Sequence, residues 1–274
     1  MYNSVKVAAI SLKPTKWDKA SNADKMEAFF VEATKEQPKV ILTTEGVLEG
    51  YVVMNVIENP EKVEAMLEIA EPIDGPSIQR FQRLAKTLQT CLCFGFAERI
   101  THEVYNCAVF IDHNGEICGK YHKTQLAEGT HPSWTFNRVG ESLRAFDTPI
   151  GRAGFVICND RWNPLITRAL VLDGANLILI PSYGSRSKSQ NQAVLARARE
   201  NGVPIVEANV GMNLIISKGE IAAYKWGNDQ ITTAVIDIPE PPSQEAARRA
   251  EQEYLKLQGP EMEKRYNKTV EGLT

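Results

Sequence analysis

Three residues whose side chains can do chemistry lie where apolar, strand-like segments end. Glu45 follows the segment VILTT, Lys123 follows EICGKYH, and Cys158 ends AGFVIC. Because α/β folds usually present functional groups at the ends of strands, we expect the three side chains to meet. Each residue by itself also has an ordinary structural interpretation, as a buried thiol for Cys158 and as solvated loop residues for Glu45 and Lys123.

A thiol, a carboxyl group and an ammonium group together suit covalent catalysis. A cysteine thiol is only slightly ionised near neutral pH, so a nearby base such as Glu45 would have to accept its proton. Attack of the Cys158 thiolate on an electrophilic carbon places negative charge on the substrate, which Lys123 and the backbone N–H of Asn159 would stabilise. Glu45 would then protonate the leaving group and activate the water that releases the product. This chemistry needs no cofactor or metal.

The elements that must position these residues form an alternating pattern. Apolar segments and amphipathic helices alternate up to residue 238, which is typical of a layered α/β domain. Helices are predicted from Ser21 as N-cap to residue 33, and over residues 78–88, 164–172 and 195–200. Asn114-Gly115 predicts a hairpin turn. The predicted strands are VKVAAIS, VILTT, CLCFGFAER, VYNCAVFID, EICGKYH, AGFVIC, NLILIP, PIVEANV, NLIIS, EIAAYK and ITTAVIDI.

Three prolines after residue 238 mark the end of this pattern. We therefore predict a catalytic domain over residues 1–240 and a C-terminal helical tail over residues 241–274, which either contacts a partner subunit or is loosely attached. Within the tail, residues 243–257 predict a helix that ends at Gly259-Pro260.

The segments VILTTEG, YHKTQL and FVICNDRWNP resemble the three signature segments of the nitrilase superfamily of carbon–nitrogen hydrolases. Further similarity in GANLILIPS and ARARENGVPIVEANVG extends the resemblance over most of residues 5–238. The resemblance implies an α/β fold, the four-layer αββα sandwich of that superfamily. It also implies that Glu45, Lys123 and Cys158 are the catalytic residues.

Three other residues are candidates through the same resemblance. Glu128 is the carboxylate that follows Lys123 most closely and would be a second, auxiliary glutamate, although its surroundings depart from the family pattern and also fit an exposed loop. Cys158-Asn159-Asp160-Arg161 resembles the branch that cleaves N-carbamoyl amino acids, in which arginines bind the substrate carboxylate. Arg161 therefore either binds such a carboxylate or forms an ion pair within the protein, with Asp160 or another acid.

The leading functional hypothesis is hydrolysis of a small amide or N-carbamoyl (ureido) compound with release of ammonia. A nitrilase, which converts a nitrile to an acid and ammonia, is the alternative enzyme. Because CNDRWNP departs from the family pattern, a non-catalytic binding or scaffold protein is the alternative of another class. Cys–His catalysis with His122 or His131 is disfavoured because neither lies in a recognisable protease context.

Composition limits the partners. A formal net charge of -3 and a pI of about 5.9 give no field that attracts nucleic acid. No apolar run approaches the ~20 residues that span a bilayer, and no signal peptide is visible, so we expect no membrane partner and a cytoplasmic location. Five cysteines without CxxC spacing suggest neither disulfides nor a metal site. The resemblance to the nitrilase superfamily, whose members pack as dimers through the helix after the cysteine, implies a homodimer or higher homo-oligomer that uses residues 163–173.

Overall fold

The computed structural model describes residues 2–127, 138–184 and 186–240, together with scattered residues between 249 and 267. Tertiary contacts divide the chain into two units, Met1–Pro239 and Glu240–Thr274. In the second unit, the described residues from 249 onward are helical. They include Glu261 and Lys264, so helical structure also occurs beyond the Gly259-Pro260 pair that was expected to end it.

The strands of the first unit form two six-stranded sheets. The first sheet has the order β12-β1-β2-β3-β4-β5 and the second has the order β11-β10-β9-β8-β7-β6. The bounds are β1 (Tyr2–Ile10), β2 (Val40–Leu42), β3 (Cys91–Ile100), β4 (Glu103–Ile111), β5 (Ile117–His122), β6 (Phe146–Thr148), β7 (Gly151–Phe155), β8 (Leu177–Ser182), β9 (Ile205–Asn209), β10 (Met212–Ser217), β11 (Glu220–Trp226) and β12 (Ile231–Pro239).

The described helices are α1 (Lys19–Thr34), α2 (Val53–Glu58), α3 (Val63–Ile69), α4 (Pro76–Leu88), α5 (Pro164–Leu172) and α6 (Lys188–Asn201), with short 3-10 helices at Pro60–Lys62 and Cys158–Trp162. The predicted cap of the first helix was wrong. The side chain of Asp18 accepts a hydrogen bond from the backbone N–H of Ser21 at 3.1 Å, so Asp18 is the N-cap. The sequence pattern did not predict α2 and α3. None of the helices in the described part of the chain is long and apolar enough to cross a membrane.

Apolar side chains pack the sheets and helices into four layers. Inward-facing residues of both sheets share one core, as with Leu42 from the first sheet and Phe155 from the second. Phe30 of α1 and Phe81 of α4 pack on the outer face of the first sheet, and α5 and α6 pack on the outer face of the second. The result is the predicted αββα sandwich. On α5, the helix that we expect to contact a partner subunit, Leu165 and Leu172 are exposed.

The two sheets meet where their parallel strands end. The strands β1, β2 and β3 run parallel in one sheet, as do β7, β8 and β9 in the other. Beyond the end of β2, the backbone N–H of Glu45 donates to the carbonyl of Ser182, the last residue of β8, at 3.4 Å. Gly95 on β3 lets the Glu45 segment lie close against its own sheet, because a Cβ at that position would lie 2.6 Å from the Cα of Glu45. The segment that carries Glu45 is therefore held between the sheets.

Candidate active site

The carboxylate of Glu45 is fully buried and accepts three hydrogen bonds. Its Oε1 accepts from Lys123 Nζ at 2.7 Å and from Asn106 Nδ2 at 2.7 Å. Its Oε2 accepts from the backbone N–H of Tyr183 at 2.9 Å. The side chains of Glu45 and Lys123 are both 0% exposed, so each charge depends on the other for compensation. Both carboxylate oxygens are thus fixed by partners from three separate segments.

The hairpin of β4 and β5 explains why Asn106 and Lys123 lie together. Cys107 pairs with His122 across the hairpin, and the backbone N–H of Lys123 donates to the carbonyl of Asn106 at 2.8 Å. Side chains alternate between the faces of a sheet. Tyr121 belongs to the core between the sheets, so Lys123 points to the same side and His122 to the other.

The backbone of Cys158 has an uncommon conformation. Its φ is 45°, in the left-handed region that non-glycine residues rarely adopt and that costs on the order of 1–3 kcal/mol. The residue lies where the chain leaves β7 and enters the 3-10 helix Cys158–Trp162. Its Sγ donates to the carbonyl of Tyr183 at 3.6 Å, and the residue as a whole is half-buried. A strained backbone that places a thiol at such a half-buried position is characteristic of functional sites.

Asp160 anchors the turn that contains Cys158. Its carboxylate accepts from the backbone N–H of Ile157 at 2.9 Å, from that of Gln125 at 2.8 Å, and from the hydroxyl of Tyr121 at 2.8 Å. These contacts tie the cysteine turn to the segment that follows Lys123. The carboxylate of Asp160 is therefore engaged with backbone groups and Tyr121.

The electrostatic surroundings keep the Cys158 thiol protonated in the resting state. Desolvation by burial raises the pKa of Cys158, and the nearby carboxylate of Glu45 raises it further. The positive charges of Arg161 and Lys123 oppose this increase of the pKa without cancelling it. Since the thiolate is the nucleophilic form, the site needs a base that removes the proton when substrate is bound.

Arg161 lies inside the protein, which favours the second of its two predicted roles, an ion pair within the protein. Its side chain is 1% exposed and forms an ion pair with Glu207, which is 0% exposed. It also donates to Ser182 Oγ at 2.6 Å and to the carbonyl of Cys158. These contacts favour the internal ion pair, with Glu207 as the partner in place of Asp160. The guanidinium turns inward because a buried acid compensates its charge there.

Of the remaining candidate residues, one lies beside Cys158 and the others do not contribute described contacts to the site. Asn159 is half-buried beside Cys158, and its Nδ2 donates to the carbonyls of Gln125 and Leu126 at 3.4 Å each. Glu128 and His131 lie outside the described residues. The ring of His122 bonds to Glu98 on the outer side of the sheet, away from Lys123. The structure therefore gives no support to Cys–His catalysis through His122.

One group of side chains has the donor set of a metal site. Ligand atoms of Glu98, Cys107 and His122 lie within 4.8 Å of one another. The ammonium group of Lys120 is 2.5 Å from the carboxylate of Glu98, however, and a dication would have to displace it. The group is better described as an ion-pair network on the outer face of the first sheet.

Three polar residues near the site were not predicted: the buried Glu49 and Glu207, and the half-buried Asn106. Asn and Glu are depleted in strands, so their presence in the apolar segments VYNCAVFID and PIVEANV was an available signal. Glu49 lies four residues after Glu45, and its Oε2 accepts from the backbone N–H of Ala97 at 2.9 Å. Burial raises the pKa of Glu49 to about 7, with a smaller contribution from the charge of Glu45.

The chain is similar in sequence to known proteins. The chain is 30% identical over 235 residues to the N-carbamoylputrescine amidase of Oryza sativa subsp. japonica, covering 84% of this chain and 73% of the relative. It is 29% identical over 241 residues to a citrullinase from Francisella tularensis subsp. tularensis, covering 84% and 81%.

A solved structure and a family model agree with these relatives. A variant of the amidase from Nesterenkonia sp. AN1, solved with acrylamide, superposes with a TM-score of 0.72 at 18% identity and covers 91% of this chain and 95% of that one. Another variant of that amidase is described as a member of the nitrilase superfamily. The model of the carbon-nitrogen hydrolase family matches residues 6–239. The chain therefore belongs to the carbon-nitrogen hydrolase family.

Proposed function

We propose that this protein hydrolyses a small amide or N-carbamoyl compound, with Cys158 as nucleophile, Glu45 as acid and base, and Lys123 as electrostatic stabiliser. The observation that carries the proposal is the pair of hydrogen bonds made by the backbone of Tyr183. Its carbonyl accepts from the Cys158 thiol at 3.6 Å, and its N–H donates to Glu45 at 2.9 Å. One residue thus holds the nucleophile beside the buried carboxylate that would accept its proton.

In the first half of the reaction, Glu45 takes the proton from Cys158 as the sulfur attacks the carbonyl carbon. The C–S bond forms while the electron pair of the C=O bond moves to oxygen. Lys123 and the backbone N–H of Asn159 stabilise this oxyanion. The tetrahedral intermediate then collapses, the C–N bond breaks, and Glu45 returns its proton to the nitrogen, so ammonia leaves and a thioester remains.

In the second half, Glu45 takes a proton from a water molecule that attacks the thioester. The C–S bond breaks, the sulfur recovers a proton from Glu45, and the acid is released. With an N-carbamoyl substrate this acid is a carbamic acid, which decomposes to an amine and carbon dioxide. The hydrogen bonds to both oxygens of Glu45 keep the carboxylate in place through these proton transfers.

The relatives support the substrate class. One is named N-carbamoylputrescine amidase, and the structural neighbour is an amidase. Relatives named as nitrilases also occur, for example a probable nitrilase from Schizosaccharomyces pombe at 27% identity. The geometry of Cys158, Glu45 and Lys123 suits attack on a nitrile carbon as well, so the nitrile is the competing substrate in the test.

The test is ammonia release by the purified protein from a panel of neutral amides, N-carbamoyl amines, N-carbamoyl amino acids and nitriles. We expect turnover of amides or N-carbamoyl compounds, and none by Cys158→Ala. Turnover of nitriles alone would replace the proposal with the nitrilase activity. No turnover of any substrate, together with slow and unselective labelling of the five cysteines by iodoacetamide at neutral pH, would favour a scaffold protein.

A further inference from the structure

A second buried ion pair lies directly behind the cysteine turn. Arg161 is 1% exposed and Glu207 is 0% exposed, and both lie among side chains of the second sheet and α6. Glu207 Oε1 also accepts from Ser182 Oγ at 3.2 Å and from Gln190 Nε2 at 3.3 Å. The proton-transfer scheme above assigns no role to this pair.

The ion pair contacts the backbone of Cys158, the proposed nucleophile. Arg161 Nε donates to the carbonyl of Cys158, the residue whose φ is 45°. A strained conformation persists only where surrounding contacts over-determine it. If Cys158 relaxed to a common backbone conformation, its Sγ would move away from the carbonyl of Tyr183. The hydrogen bond from Arg161 is therefore placed to oppose that relaxation.

The pair is also joined to the segment that carries Tyr183. Arg161 donates to Ser182 Oγ at 2.6 Å, and Ser182 is the last residue of β8, immediately before Tyr183. The guanidinium thus bridges the cysteine turn and the end of β8. Its partner acid is Glu207 on β9, and Gln190 on α6 donates to that carboxylate and holds it in place. The fork of Arg suits this task, because its N–H groups have a fixed planar geometry.

We propose that Arg161 and Glu207 are positioning residues that hold the Cys158 sulfur in line with Glu45 and the substrate carbon. This role rests on the proposed function of Cys158 as the nucleophile. The pair acts through the Cys158 backbone and through Ser182, so its loss lowers kcat and leaves KM nearly unchanged. A purely structural ion pair would change the stability alone.

The chain offers a matched control for the structural effect. Lys19 and Glu71 form another ion pair with a buried carboxylate, at 2.6 Å, with the side chain of Glu71 2% exposed. The described hydrogen bonds of the Glu71 carboxylate come from Lys19 and from the backbone N–H of Ser77, at the start of α4. Glu71→Gln therefore removes a buried paired charge without touching the cysteine turn.

The experiment measures kcat, KM, the melting temperature and the iodoacetamide labelling rate of Cys158 against pH. It compares Glu207→Gln, Glu71→Gln and a double variant, Arg161→Met with Glu207→Leu. Apolar replacement of a whole buried pair is often neutral for stability, so the double variant is expected to fold. We expect kcat to fall about tenfold or more in Glu207→Gln and in the double variant, with KM within about twofold of wild type.

The pH profile separates positioning from a simple charge effect. Removing the negative charge of Glu207 leaves Arg161 less compensated, which moves the labelling profile of Cys158 to lower pH. If thiolate supply alone governed turnover, Glu207→Gln would then be faster than wild type at neutral pH, whereas positioning makes it slower. Glu71→Gln should keep both kcat and the profile.

Wild-type kcat in either folded variant, or loss of the fold in both, would overturn the proposal. Failure of the proposed function is a separate result. A wild-type protein that turns over no substrate rejects the function. In that case, an unchanged labelling rate of Cys158 at its high-pH plateau in the two variants rejects the positioning role as well.

Discussion

Two buried ion pairs flank Cys158, and they differ in the part of Cys158 with which they are connected by hydrogen bonds. In Glu45–Lys123, on the side of the first sheet, the carboxylate also bonds to Asn106 and to the backbone of Tyr183, which in turn contacts the thiol. In Arg161–Glu207, on the side of the second sheet, the contact with Cys158 is made through its backbone carbonyl. Both pairs are excluded from water to the same degree.

The comparison teaches that burial of an ion pair does not by itself identify a catalytic group. Both pairs carry the desolvation cost of buried charge, and both are compensated by a partner. What separates them is access to the reacting atoms. A carboxylate beside the thiol can exchange protons with it, whereas a guanidinium bound to a backbone carbonyl holds that backbone in place and acts on the thiol only through its charge.

The largest effects are expected at the first pair and the nucleophile. Cys158→Ala, Glu45→Gln and Lys123→Ala should each reduce kcat/KM by about a thousandfold or more, because each removes a group on which the others depend. The losses should not add, so a double variant should be about as poor as the worse single variant. Steady-state ammonia release checks this prediction, with circular dichroism as the control for folding.

Full activity in Cys158→Ala would end the assignment of the nucleophile. Additive losses in the double variants would show that Glu45 and Lys123 act in separate steps. Either result would also remove the distinction between the two ion pairs, since the first pair would then have no closer connection to the chemistry than the second.

The next effect distinguishes two roles for Arg161. Arg161→Ala leaves Glu207 as an unpaired buried charge, which costs about 3–5 kcal/mol of stability in comparable cases. If Arg161 only holds the cysteine turn, kcat/KM should fall by the same factor for an N-carbamoyl amino acid and for a neutral amide. A loss confined to the acidic substrate would instead restore the role of Arg161 in binding a substrate carboxylate.

The smallest effect concerns Glu49, a buried carboxylate whose described hydrogen bond comes from a backbone N–H group. Its pKa is raised from an ordinary value near 4.5 to about 7. The folded state thus binds the proton more tightly than the unfolded state. The contribution of this proton binding to the free energy of unfolding is complete below about pH 4.5 and is lost as the pH rises through about 7.

Glu49→Gln should therefore remove a pH dependence of up to about 3 kcal/mol, since each pH unit of pKa displacement corresponds to about 1.4 kcal/mol. Urea unfolding at pH 5 and pH 8 measures it. The wild type should lose more stability than the variant between these values. Equal losses would mean that the carboxyl group is ionised at both values of pH, and Glu49 would then need a cation partner as the two ion pairs do.

Much of the fold could be predicted from local patterns. The hairpin at Asn114-Gly115 and the helix Pro164–Leu172 were predicted at or near their observed positions, because turn and cap residues act locally. The cap of α1 was misplaced by three residues because Asp18 and Ser21 are both good N-caps. The segment of α2 and α3 was missed because its short helices lack a sustained apolar period.

The sequence by itself determined the family and the four-layer architecture, and it singled out Glu45, Lys123 and Cys158 as the candidate catalytic residues. Those features follow from the composition and order of local segments, which can be recognised without knowing the contacts between the segments. Tertiary structure decided the rest. That Asn106 bonds to Glu45, that Arg161 turns inward to Glu207, and that Tyr183 joins the thiol to the carboxylate all depend on which strand ends meet between the sheets. These partners are 25 to 138 residues apart along the chain, so no local pattern could pair them.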